Sequence, residues 1–107
     1  MIDNFRRVRP PPRLDGGSSP AFEQELEQYI EAGDRLFVLD LSGLEFISSA
    51  GLRVLMVVAR RLKACGGRLV LCSLQKPIRE AFDISGYSTI FDVFPTYDEA
   101  VAHLSMR

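Results

Sequence analysis

The segment Phe37–Leu55, FVLDLSGLEFISSAGLRVL, constrains this chain more than any other. An apolar run from Leu36 to Leu41, broken only by Asp40, precedes a short loop and then two serines, an alanine, a glycine and a helix-like pattern. Arg35–Leu41 has almost no polar alternation, so it predicts a strand buried on both faces, in a sheet covered by helices or by a second layer. The strand delivers Ser48 and Ser49 to the first turn of a helix that runs to about Ala64. Either serine can cap that helix. The N-terminus of a helix presents unpaired N–H groups and the positive end of the macrodipole. An added phosphate is tolerated or stabilised there.

The elements on either side repeat the alternation. Pro20–Ala32 predicts a first helix, with Ser19 as N-cap, Pro20 at the first helical position and Gly33 ending it. Phe22, Leu26, Tyr29 and Ile30 fall on one face of it. The serine-led helix carries an apolar stripe of Leu52, Leu55, Met56, Val58, Ala59 and Leu62, and Arg53, Arg60, Arg61 and Lys63 mark its wet side. Gly66–Gly67 stops it. Arg68–Ser73 reads as a second buried strand. Pro77–Ser85 is a short helix with Ile78, Ala81, Phe82 and Ile84 apolar. Ile90–Phe94 is the last strand, and Thr96 or Tyr97 leads into a final helix of about Asp98–Ser105. Strands alternating with helices predict an α/β fold with a mostly parallel sheet and right-handed crossovers. The expected core includes Phe37, Leu39, Leu55, Val58, Leu69, Leu71, Phe82 and Val93.

Residues 1–17 differ from the rest. They hold Pro10, Pro11 and Pro12, half of the six prolines, and the four arginines Arg6, Arg7, Arg9 and Arg13. Consecutive prolines favour polyproline II and supply no ladder donors. The reading is an extended lead segment, 1–17, followed by one domain, 18–107. A chain of 107 residues with 47% hydrophobic side chains can bury one core. A net charge of -1 gives no basic surface for nucleic acid. The apolar runs are too short to span a bilayer, and Met1–Pro12 has no apolar signal core, so a cytoplasmic place is expected. Cys65 and Cys72 fit no metal template and read as free buried thiols, and no cofactor is implied.

Asp40, Ser42, Phe46, Ile47, Ser48, Ser49, Gly51 and Leu52 resemble the signature of the STAS family, the fold of bacterial anti-sigma factor antagonists. Arg13-Leu14-Asp15, Gly66-Gly67-Arg68-Leu69-Val70-Leu71 and the segment Pro77–Gly86 resemble further family elements, and the likeness covers about Arg13–Leu104. It implies a STAS-like sandwich of a mostly parallel sheet with helices. The two-stranded hairpin usual before the first helix is absent, shortened or replaced by one strand from Ile2–Arg9. The likeness also implies that Ser49 is phosphorylated by a partner kinase, with Ser48 as second choice. Ser48 stands where many phosphorylated members carry aspartate, and Ala50 where others carry a second serine or threonine.

Three functions follow for comparison. By resemblance, the chain is a non-enzymatic switch: unphosphorylated, it binds an anti-sigma factor that is also a serine kinase and so frees the sigma factor. Phosphorylation ends the binding and a PP2C-type phosphatase restores it. Ser48, Ser49, Ala50, Gly51, Leu52 and Arg53 form the implied partner surface. The alternative is a STAS adaptor of a transporter or sensory complex. A serine hydrolase is the weakest, because Ser48-Ser49-Ala50-Gly51 lacks the first glycine of a nucleophile elbow and His103 is the sole histidine. No Walker lysine follows Gly66–Gly67, so that pair is a turn. The blander readings are an N-capping serine, a strand-terminal Asp40 accepting loop N–H groups, a structural Asp15 and solvated arginines. A short N-terminus leaves a sheet edge or face open, which predicts a homodimer through the edge or through Ile2–Arg9. The opposing expectation is a monomer in which that segment folds back as one edge strand, with Pro10–Pro12 as the crossover.

Overall fold

A computed structural model describes residues 5–105 of the chain. The strands are β1 (Phe5–Val8), β2 (Arg13–Leu14), β3 (Leu36–Asp40), β4 (Phe46–Ile47), β5 (Arg68–Cys72) and β6 (Asp92–Phe94). The helices are α1 (Ser19–Glu31), α2 (Ser49–Ala64), α3 (Lys76–Ser85) and α4 (Tyr97–Ser105), and a 3-10 turn at Tyr87–Thr89 precedes β6. The main sheet has the order β1-β3-β5-β6, and β2 pairs with β4 in a separate two-stranded piece. Every pairing among the described residues is parallel.

The unbroken burial of β3 follows from coverage on both faces. Phe37 and Leu39 join Leu69 and Leu71 of β5 on the side packed by α1, α2 and α3. Leu36 and Val38 join Val70 and Cys72 on the other side, where Ala100 and Leu104 of α4 cover them. Successive residues alternate between two buried faces, so no polar rhythm survives in the sequence.

The fold-back alternative is the arrangement found for the N-terminal segment. β1 lies parallel to β3, with Arg7 beside Val38 and Val8 beside Leu39, and Val8 and Pro10 are buried. Ile2–Asn4 lie outside the described residues. With helices on both faces of the sheet, the open-face argument for a dimer loses its basis, and the outer edges of β1 and β6 remain.

Several details correct the sequence reading. The N-cap of α1 is Ser18, with Ser19 as the first helical residue. The cause lies upstream: the Asp15 carboxylate accepts the Gly17 and Ser18 N–H groups at 3.0 and 3.2 Å, and Ser19 N–H donates to the Asp15 carbonyl at 2.8 Å. This turn advances the helix start by one residue, and the same N–H groups hold the Asp15 pKa below its ordinary value. The last strand is shorter than Ile90–Phe94, because Ile90 closes the 3-10 turn in a helical conformation and stays 60% exposed. Val93 is half-buried on the edge strand, whereas the other seven expected core residues are buried. Ala81 and Ile84 of α3 face outward, since Ile78 and Phe82 define its inner face. Cys65 is exposed, and only Cys72 is a buried thiol. Gly33, at a φ of 109°, ends α1 as expected. Thr96 caps α4: its Oγ1 accepts the Glu99 N–H at 3.1 Å and donates to the Glu99 carboxylate at 3.1 Å.

Asp40 ties the edge strand to the sheet. Its side chain is 3% exposed and accepts hydrogen bonds from Arg7 at 2.6 Å and Arg9 at 3.0 Å. Ser42 N–H donates to its other oxygen at 3.0 Å, which is the loop contact expected for a strand-terminal aspartate. Burial alone would raise the Asp40 pKa, but these donors outweigh it and hold the carboxyl well below the usual carboxylate range. The stability it contributes is therefore complete above its unfolded pKa of about 3.9 and is lost as pH falls towards the folded value. Arg7 and Arg9 stay partly solvated, so Asp40→Asn should cost about 1–3 kcal/mol at neutral pH. The substitution should also flatten the loss of stability on acidification. Urea unfolding of both proteins at neutral pH and between about pH 4 and pH 2 checks this; equal stability at neutral pH would contradict it.

Candidate functional site

The loop between β3 and α2 is pinned at both ends before it presents its serines. Leu44 is fully buried, and its N–H donates to the Leu41 carbonyl at 3.0 Å. The Pro12 carbonyl accepts the N–H groups of Glu45 and Phe46 at 2.7 and 3.2 Å, so the proline run braces the loop directly. From the other side, Gln75 Nε2 donates to the Ser42 carbonyl at 2.8 Å. β2 then pairs with β4, and the Leu14 carbonyl accepts the Ser48 N–H at 2.9 Å.

The two serines divide the work at the start of α2. Ser48 is the N-cap, with extended backbone, and Gly51 N–H donates to its Oγ at 3.5 Å. Its own hydroxyl reaches the Leu14 carbonyl at 3.4 Å, and its carbonyl takes the first helical bond from Leu52 at 3.0 Å. Ser49 is the first helical residue and is exposed. No side-chain hydrogen bond of Ser49 occurs among the described residues, and the residue faces solvent. The first turn contains no acidic residue. The field there is that of the helix terminus alone and favours negative charge.

The remaining implied partner residues separate by exposure. Ala50 and Leu52 are half-buried, Arg53 is exposed beside Glu23 of α1 at 3.7 Å, and Gly51 is buried. A Cβ on Gly51 would stand 2.6 Å from the Leu14 carbonyl oxygen and 2.8 Å from Ile47 Cγ1. The glycine is therefore what lets the first turn of α2 lie on the β2–β4 pair. Two further residues border this surface: the Arg13 guanidinium lies 4.3 Å from the centre of the Phe46 ring, and Phe46 is 40% exposed. Thirty-three residues separate them, and no local pattern in the chain joins them. Among the described residues no group of three His, Cys, Asp or Glu side chains forms a metal site, and no helix is long and apolar enough to cross a membrane.

The STAS domain family matches residues 2–100. The chain belongs to the STAS domain family. It is 43% identical over 89 residues to BtrV of Bordetella bronchiseptica, assigned as an anti-sigma factor antagonist, covering 83% of this chain and 77% of that one. Among solved structures it resembles an anti-sigma factor antagonist from Mycobacterium paratuberculosis, with a TM-score of 0.83, 25% identity, and coverage of 96% of this chain and 87% of that one. It shares its fold with SpoIIAA in the unphosphorylated form, with a TM-score of 0.81, 20% identity, and coverage of 100% and 94%. SpoIIAA has also been solved phosphorylated, and there the TM-score is 0.72.

Gly51→Ala tests the seat of the STAS serine helix. The clash is with backbone, so β2 or α2 must shift, and the expected cost is about 1–3 kcal/mol. Thermal unfolding measures it. A Gly51→Ala protein as stable as the parent would show that the helix start is not held against Leu14.

Proposed function

We propose that this chain is an anti-sigma factor antagonist whose partner binding is switched by phosphate on Ser49. The observation that carries the reading is the division between the two serines. Ser48 holds the helix end, which leaves Ser49 exposed at the first helical position with no acid beside it. A phosphate adds about −1.5 to −2 charges. At this place the charge meets the first N–H groups of α2, which have no intrahelical acceptors, and Arg53 lies one turn further on. The domain therefore keeps its fold while the surface changes sign.

The partner in this reading is an anti-sigma factor with serine kinase activity, bound in the cytoplasm across Ser48–Arg53. Its docked face meets the new charge and bulk directly and is released, and a PP2C-type phosphatase resets the site. The name of BtrV supports the role, and the two solved states of SpoIIAA support a STAS fold that persists on phosphorylation. The switch itself needs no catalysis by this chain.

Incubation with a candidate kinase and ATP, followed by intact mass and peptide fragmentation, tests the assignment. One phosphate on Ser49 is expected, lost in Ser49→Ala and retained in Ser48→Ala. Phosphate on Ser48 alone refutes it. Ser49→Asp should weaken kinase binding by about tenfold or more, since like-charge juxtaposition at an interface costs several kcal/mol. Unchanged affinity by calorimetry would favour an adaptor without a phosphate switch.

A further inference from the structure

The charges of α2 are not distributed evenly around it. Arg53 and Arg61 turn to Glu23 and Glu27 of α1. Arg60 and Lys63 take part in no ion pair among the described residues. Lys63 lines an open groove of about 440 Å³ beside α2 with Ala59, Ile90 and Phe91, and a continuation of about 360 Å³ shares these four residues and adds Met56 and Arg60. Ile90 is 60% exposed, held out by the 3-10 turn that precedes it. Asp92 is the one carboxylate lining the groove, and Arg68 neutralises it at 2.6 Å. The result is an apolar floor with an uncompensated basic rim. Lys63 in the last turn also complements the helix dipole, but Arg60 stands a turn earlier.

We propose that this groove docks an acidic amphipathic helix of a partner protein. Charge complementarity fixes the sign of the partner: a basic segment is repelled by Arg60 and Lys63, and a small anion leaves the exposed Ile90 uncovered. Helix-in-groove recognition places apolar side chains at i, i+3 and i+4 in the groove. Arg60 and Lys63 are three residues apart, a rise of about 5 Å, which matches carboxylates three or four residues apart on the docked helix. The surface is separate from the phosphate switch. Ser49 lies eleven residues before Arg60, about 16 Å along the helix axis, roughly two screening lengths at physiological salt. Docking in the groove therefore proceeds whether Ser49 is modified or not.

The test is an NMR titration of isotope-labelled full chain with a synthetic helical peptide of leucine and glutamate at i, i+3 and i+4 spacing, and with the same peptide carrying lysine for glutamate. The acidic peptide should shift amides in Met56–Lys63 and Ile90–Asp92 and saturate, and the basic one should not. The double variant Arg60→Glu, Lys63→Glu should weaken binding by about tenfold or more. Ile90→Ser, at an exposed site, should also weaken it without lowering the melting temperature. Ser49→Asp should bind within about twofold of the parent. No shifts at millimolar peptide, shifts confined to Ser48–Arg53, equal binding of the basic peptide, or a strong effect of Ser49→Asp would each overturn the proposal.

Discussion

Asp40 is the group on which the placement of the site rests. It ends β3 and begins the loop that carries the serines, and one carboxylate serves both tasks. Its two arginine partners come from the edge segment, Arg7 within β1 and Arg9 just past its end. Its remaining oxygen fixes the Ser42 amide, the first turn of the loop. Removing either set of partners would leave a nearly inaccessible charge short of donors, which is far more costly than loss of a surface pair. The same cluster lies on the α4 face of the sheet, where the Arg7 guanidinium is 4.2 Å from the centre of the Tyr97 ring of α4. A buried carboxylate at a strand end thus connects the edge segment, the serine-bearing loop and, through Arg7, helix α4.

From Asp40 the geometry passes to Leu14. Two residues of β2 suffice to seat the start of α2, because contact there is through backbone. The Leu14 carbonyl meets the Ser48 amide, and Gly51 presents no side chain to hold the two apart. Ser49 stands exposed on this seated turn, so in the proposed switch added bulk and charge would project outward.

The elements with dense local signal were legible in the chain. The buried run of β3, the proline and glycine limits of α1, the serine-led start of α2 and the Gly66–Gly67 turn all follow from neighbours within a few residues, and they give the order of elements and the exposure of Ser49. What escaped depends on distant partners. Arg7 and Arg9 lie more than thirty residues from Asp40, and Arg13 is equally far from Phe46, so nothing near them in sequence marks the pairing. Val54, 2% exposed, was absent from the expected stripe of α2, because a helix that packs on both α1 and the sheet buries more than one narrow face. Ile90 failed as a strand residue for another reason: the aromatic cluster of Phe82, Tyr87 and Phe91, with ring centres 6.0–6.4 Å apart, sets the turn before β6 and leaves Ile90 outside. Tertiary packing overrode a local β preference there.

Helix α2 thus separates two electrostatic tasks along its length. Its N-terminal turn has no acidic side chain, so the backbone field is left for an incoming negative group. Its later turns carry three cations, of which Arg61 is neutralised by Glu27 on the α1 side and Arg60 and Lys63 face the groove unpaired among the described residues. Arg53, paired with Glu23 one turn from Ser49, lies beside the first of these surfaces only. A negative charge added at the first turn would compete with Glu23 for Arg53, a local exchange that leaves the distant pair of cations untouched. Separation by more than a screening length would let one short helix hold both the proposed phosphate-sensitive surface and the proposed acidic-helix groove without each altering the other.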